Sequence, residues 1–199
     1  MRIATWNVNS AKQRIPRLLP WLAERRPDVV CLQETKLSDE AFADLFDEPL
    51  AELGYTAAHH GQGQWNGVAL LSRVGLADVE HGFAGQPDFE GRAEARAISA
   101  TCDGVRVHSL YVPNGREVDS AHYAYKLAWL DALAAVVAAG PGDVALCGDM
   151  NIAPADADVF DPAAYVGHTH VTPAERQRLA AFGLVDVLRD RWPGERVFS

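Results

Sequence analysis

Apolar and polar positions alternate along the chain in two rhythms, one suited to strands and one to helices. Short apolar runs, "RIATW" from Arg2, "DVVCL" from Asp28 to Leu32 and "GVALLS" from Gly67 to Ser72, read as strands with at least one buried face. Between the first two, Ile15, Leu18, Leu19 and Leu22 fall on one face of a helix, whose regularity Pro16 and Pro20 are expected to limit. An acidic helical stretch then leads into "LAELGY". "ARAISATC" and "VRVHSLYV" flank Asp103-Gly104, a two-residue hairpin signal that predicts antiparallel neighbours. Leu127, Leu130, Leu133, Ala134 and Val137 mark a long helix ending near Gly140, and "DVALC" is the next strand. Thr172, Pro173 and Glu175 read as N-cap, N1 and N3 of a further helix, a capping box with proline in its tolerated place. His59-His60 and His168-Thr169-His170 bring no supporting ligands with them and are read as solvated loops rather than metal sites. The whole is an α/β pattern with mixed strand pairing and no internal repeat.

Composition narrows this picture. At 199 residues and 48% hydrophobic content the chain can bury the core of one domain. Even its most apolar stretch, "LAWLDALAAVVAA", carries Asp131, so a membrane span is not expected. The N-terminus enters strand-like sequence directly, without the basic and apolar regions of a secretory signal, which predicts a cytoplasmic protein. Cys31, Cys102 and Cys147 are odd in number and far apart, as suits reduced core thiols. A net charge of -9 argues against wrapping nucleic acid by bulk electrostatics, but leaves room for an enzyme with a local basic groove.

The chemistry lies where strands stop. "RIATWNVN" ends on Asn7 and Asn9, "DVVCLQETK" on Gln33 and Glu34, "VRVHSLYVPNG" on Tyr111 and Asn114, and "DVALCGDMN" on Asp149 and Asn151. Ligands of layered α/β folds bind at the carboxyl ends of strands, so four such ends at one sheet edge would gather these groups in a single cleft. Asp149 alone could cap a turn, Glu34 could be a solvated loop residue, Tyr111 a core tyrosine and Asn7 a turn former. Their recurrence at strand ends favours a site. Carboxylates and amides without a Cys or His set favour Mg²⁺ or Mn²⁺ over zinc. Asp149 as base, Glu34 as metal ligand, and Asn7 with Asn151 orienting water and phosphate oxygens would make a metal-assisted phosphoester hydrolase.

"WNVNS", "PDVVCLQETK", "GYTAAHHGQGQWNGVALLSR", "SLYVPNG", "YKLAWLDAL" and "GDMNIAPADAD" resemble, in order, the motifs of the exonuclease III family of abasic-site endonucleases, within the endonuclease/exonuclease/phosphatase superfamily. The resemblance implies a four-layer α/β sandwich with two packed mixed β-sheets. It implies metal binding by Glu34 with help from Asn7, base or water-activating work by Asp149, and phosphate or DNA contact by Asn7, Tyr111, Asn114 and Asn151. The implied activity is Mg²⁺-dependent hydrolysis of the phosphodiester 5′ to an abasic site, with Mn²⁺ as substitute and with 3′-5′ exonuclease or 3′-phosphodiesterase activity beside it. The implied partner is double-stranded DNA with abasic sites or 3′-blocked ends, met by a monomer. Two alternatives share the fold: a regulator of the catabolite-repression type that binds without catalysis, and a phosphatase. Family members run on past an "RFS"-like sequence to a Ser-Asp-His triplet, which this sequence does not contain. Residues 1–199 are therefore expected to be one catalytic domain lacking its C-terminal part, and to be inactive without it.

Overall fold

A computed structural model describes residues 1–140 and 142–195; the closing residues of "ERVFS", from Arg196 on, lie outside the described residues. The chain forms two compact units. One comprises Met1–Val112 and Gly140–Asp149, the other Pro113–Ala139 and the residues from Met150 onward.

The first unit holds two four-stranded mixed sheets. Its elements are β1 (Ile3–Asn7), α1 (Ala11–Arg25), β2 (Val29–Gln33), α2 (Asp39–Glu52), β3 (Thr56–Gln62), β4 (Trp65–Ser72), β5 (Ala77–His81), β6 (Ala97–Cys102), β7 (Val105–Tyr111) and, after a long excursion of the chain, β8 (Val144–Asp149). One sheet runs β1-β2-β4-β3 and the other β5-β6-β7-β8. The parallel pairs are β1 with β2 and β7 with β8, while the other neighbours are antiparallel. The β6–β7 hairpin turns at Asp103 and Gly104, both at positive φ, as the Asp-Gly signal predicts.

Strand alternation builds the layers. In β2, Val30 and Leu32 join Leu18 and Leu22 of α1 and Phe42, Phe46 and Leu50 of α2 in one core. Val29 and Cys31 point the other way, into a second core with Ile98, Ala100, Cys102 and Val107 of the opposite sheet. A strand with both faces covered reads as a continuous apolar run, which is why "DVVCL" contains no polar alternation. The expected sandwich of two packed mixed sheets with helices is therefore present.

Helix α1 runs through Pro16 and Pro20 without ending; both lie on its exposed face, where carbonyls deprived of a partner are open to solvent. One expectation changes. His59 and His60 are not in a loop but in β3. His59 is nearly buried there, because its ring stacks on Phe42 and both nitrogens are hydrogen-bonded.

In the second unit α3 (Ala121–Ala139) packs against α4 (Pro173–Ala180), with an Asp131–Arg178 ion pair at 2.9 Å between them. Two 3₁₀ turns (Asp156–Asp158 and Pro162–Tyr165) precede α4, and α5 (Val187–Arg191) follows. Thr172 caps α4, with Glu175 completing the capping box. No helix among the described residues is long and apolar enough to cross a membrane.

Candidate active site

The strand ends that carry the candidate residues belong to two sheets rather than one edge. β1 and β2 end level with each other in the first sheet, Asn7 opposite Gln33, and β7 and β8 end level in the second, Tyr111 opposite Asp149. Gly148 makes the second alignment possible. At φ 148° a Cβ there would lie 2.0 Å from the carbonyl oxygen of Leu110, so only glycine lets β8 approach β7 this closely.

Asn7 joins the two ends. Its Nδ2 donates to Glu34 Oε1 at 2.7 Å and to Asp149 Oδ2 at 2.9 Å, while its Oδ1 accepts from the Asn9 N–H at 3.1 Å. Asn7 thus turns its nitrogen, not its oxygen, toward the carboxylates, and acts on them as a donor.

Glu34 sits just past β2 at φ 54°, a left-handed conformation that side-chain-bearing residues rarely adopt. Main-chain bonds over-determine it: Ser10 N–H donates to Glu34 O at 2.7 Å, Thr35 N–H to Gly67 O at 3.1 Å, and Lys36 N–H to Asn66 O at 3.0 Å. The Thr35 side chain bonds His59 Nε2 at 2.8 Å, and His59 Nδ1 lies 2.7 Å from Asp39 Oδ1. Burial pushes the His59 pKa down to about 4 against the pull of Asp39. At neutral pH the ring is therefore uncharged, donating from Nδ1 to Asp39 and accepting the Thr35 hydroxyl at Nε2. Burial works to raise the Glu34 carboxyl pKa, but the Asn7 amide and the Lys36 ammonium, 3.0 Å from Oε2, overcome it and hold the carboxyl below its usual range.

Tyr111 completes this group. Burial first, then the negative charge of Glu34, pushes its pKa up to about 12, so the phenol stays protonated at neutral pH. The Arg96 guanidinium lies 4.8 Å from the centre of its ring, held on the other side by Glu94 at 2.6 Å. Beneath the carboxylates a buried polar seam links the sheets: Gln33 Nε2 donates to Ser109 Oγ at 3.2 Å, which donates to Leu32 O at 3.0 Å.

In the second unit Asn114 Nδ2 donates to Asn151 Oδ1 at 3.4 Å, pairing the other two expected amides. Asn151 follows Asp149 by two residues and Asn114 follows Tyr111 by three. His168 is exposed, but Thr169 beside it is buried, so that segment is only partly the solvated loop expected. The sequence assigns no role to Thr35, Arg96 or Lys126, and it places His59 in a solvated loop; Lys36 is visible there only as a possible ion-pair partner of Glu34, which it is at 3.0 Å.

Among the described residues no group of three or more His, Cys, Asp or Glu side chains converges as a metal site. The groups that do converge are two carboxylates, which can offer oxygen to a metal, and the N–H₂ of the amide between them. A family model described as "Endonuclease/Exonuclease/phosphatase family" matches residues 4–197. The chain belongs to that family. It is 28% identical over 98% of its length to the DNA repair nuclease APEX1 of Danio rerio, and it spans 64% of that relative's length. Among solved structures, an AP endonuclease from Archaeoglobus fulgidus is 35% identical, with a TM-score of 0.91 over 100% of this chain and 77% of its own. A 3′-5′ exonuclease (NExo) from Neisseria meningitidis is 40% identical, with a TM-score of 0.87 over 96% of this chain and 74% of its own. The sandwich of this family member is that of its solved relatives.

Proposed function

We propose that this chain carries the catalytic domain of a metal-dependent DNA repair nuclease that hydrolyses the phosphodiester 5′ to an abasic site in double-stranded DNA. The observation that carries the reading is the single Asn7 amide shared by the carboxylates of Glu34 and Asp149. Holding two like charges together is unfavourable unless something uses them, and a surface that only binds DNA has no need of it. This weighs against a purely regulatory protein on the same fold.

The donor set fits a hard divalent ion. Mg²⁺ keeps several of its waters, so one or two protein carboxylates suffice, and Mn²⁺ accepts the same ligands. Glu34 would hold the ion, whose charge there offsets the negative charge that builds on the phosphate. Asp149 takes the proton from the attacking water, and Asn7 fixes the distance between the two carboxylates. Tyr111 keeps its phenolic proton far above neutral pH, so its hydroxyl remains a donor that a phosphate oxygen can use. In the second unit, the side-chain amides of Asn114 and Asn151 are the groups read as contacting DNA phosphate. Double-stranded DNA containing abasic sites or 3′-blocked ends is the partner, met in the cytoplasm by a monomer. A second reading, 3′-5′ exonuclease or 3′-phosphodiesterase work, is favoured by the 40% identity to the Neisseria exonuclease.

End-labelled duplexes with one abasic site, with a 3′-blocked end and with neither separate these readings. Expected is Mg²⁺-dependent incision directly 5′ to the abasic site by the full-length protein. Incision at an undiminished rate in EDTA refutes the metal role, and tight binding without cleavage of any substrate supports the regulator.

A further inference from the structure

Lys126 and Glu175 form an ion pair in the second unit, 2.5 Å apart, with both side chains 0% exposed. Replacing such a pair with apolar side chains of similar volume is often neutral or stabilising, so burial alone does not account for a lysine on α3. The geometry of its ammonium does. Nζ donates to the main-chain oxygen of Asn151 at 2.6 Å and to that of Asn114 at 3.2 Å. These are the two residues whose side chains pair at 3.4 Å.

Glu175 is fixed more firmly than a capping residue needs to be. Oε2 accepts from the Thr172 N–H at 3.0 Å and the Thr172 hydroxyl at 2.8 Å, closing the capping box of α4. Oε1 accepts from Lys126, from the Thr169 hydroxyl at 2.7 Å and from the His170 N–H at 2.9 Å. One carboxylate therefore ties the start of α4 to the lysine that holds both asparagine loops. Gly115 seals the arrangement: at φ 89° a Cβ there would stand 2.7 Å from Thr169 Oγ1 and 3.0 Å from Lys126 Cδ. The glycine that follows Asn114 is thus needed for the loop to lie on the lysine stem. Asn151, at φ 50°, is in the left-handed region where asparagine is among the few side chains tolerated, and its carbonyl is the one Lys126 grips most closely.

We propose that Lys126 and Glu175 are positioning residues: the buried ammonium, anchored by Glu175, sets the main chain at Asn114 and Asn151 so that their side-chain amides are held ready for DNA phosphate. This rests on the phosphate-contact role proposed above for the two amides. Neither Lys126 nor Glu175 touches substrate, so the loss on removing them must pass through Asn114 and Asn151. An apolar pair that keeps the fold removes the grip, and a misplacement of about 1 Å in a site can lower turnover ~10²-fold.

The test is a cycle in the full-length protein, built from Lys126→Met/Glu175→Leu, Asn114→Ala/Asn151→Ala, and their combination. Melting is monitored together with single-turnover incision of an abasic duplex at saturating Mg²⁺. The apolar pair is expected to melt cooperatively, to need the same Mg²⁺ concentration as wild type and to lose ~10- to 100-fold in turnover. Its loss should vanish when the amides are already absent. Lys126→Arg, which can still reach Glu175 and the carbonyls, should recover most of the rate. A folded apolar-pair variant at wild-type rate, or losses that multiply in the combination, overturns the positioning role while leaving the amide contacts standing. Wild-type turnover in Asn114→Ala/Asn151→Ala overturns the amide contacts themselves and the positioning role with them. If the apolar pair does not fold, Glu175→Gln carries the same cycle with the same outcomes.

Discussion

Removing the Asn7 amide with Asn7→Ala leaves the carboxylates of Glu34 and Asp149 side by side without their shared donor. Hydrogen bonds to charged groups contribute about 1.5–3 kcal/mol each, so the bonds at 2.7 and 2.9 Å together represent ~3–6 kcal/mol. Glu34 keeps 19% of its side chain exposed, so water recovers part of this and the net loss should fall to ~2–3 kcal/mol. For a domain of this size that is roughly 4–12 °C in Tm. The pH dependence follows from Glu34, whose carboxyl the Asn7 amide helps hold below its usual range. A depressed carboxyl stabilises the fold above the unfolded value of about 4.3, and the gain disappears as pH falls through the folded value. The Tm difference between wild type and Asn7→Ala should therefore be largest near pH 7 and shrink as pH drops below about 4.3. Turnover should fall ~10²-fold or more, because base and metal ligand are no longer held at a fixed distance. Saturating Mg²⁺ should recover part of the lost Tm, since a cation held by Glu34 would offset the negative charge that the amide offset. Scanning fluorimetry from pH 3.5 to 8, with and without Mg²⁺, and single-turnover incision read these quantities. An Asn7→Ala protein with wild-type Tm at pH 7 and turnover within about threefold of wild type refutes the argument.

Three further outcomes follow from the geometry. Gly148→Ala must move β8 from β7, since the added carbon would stand 2.0 Å from Leu110 O, and thermal melting should show a loss of ~3 kcal/mol or more together with loss of incision. Burial lowers His59 and His108 to about 4, so the unfolded chain takes up protons first as pH falls through about 6.5. Stability should decline from about pH 6.5 down to about pH 4, and His59→Gln should flatten that slope in a urea series across this range. Arg96→Met removes the cation above the Tyr111 ring but keeps its packing, and incision should drop ~10-fold with little change in Tm, read by single-turnover kinetics and melting.

Much of this arrangement is legible in the sequence where hydrophobic pattern and polar punctuation agree. Asn7, Glu34, Tyr111 and Asp149 each follow an apolar run, and the structure places all four at the ends of β1, β2, β7 and β8. What the pattern could not tell is that these ends come from two sheets, because pairing depends on contacts far apart in sequence. β3 was missed because "TAAHHGQ" has neither an apolar run nor alternation; it is a strand because β4 pairs with it and because Thr35 and Asp39 satisfy His59. β5, exposed throughout, carries no hydrophobic signal at all. Glu175 was visible as half of a capping box, but its second duty to Lys126 depends on a helix about 50 residues earlier in sequence and leaves no local trace.

The central claim is that Glu34 and Asp149, held by one amide, divide the work of metal ligand and base. It is tested most directly by single-turnover incision of an abasic duplex by full-length Glu34→Gln and Asp149→Asn across a Mg²⁺ titration. Glu34→Gln should lose activity at low Mg²⁺ and regain part of it as the ion saturates a weakened site. Asp149→Asn should remain ~10²- to 10⁴-fold slow at every Mg²⁺ concentration while binding DNA normally, because no amount of metal restores a missing base. Asp149→Asn turnover above about a tenth of wild type, or recovery of Asp149→Asn rather than Glu34→Gln at high Mg²⁺, contradicts the assignment.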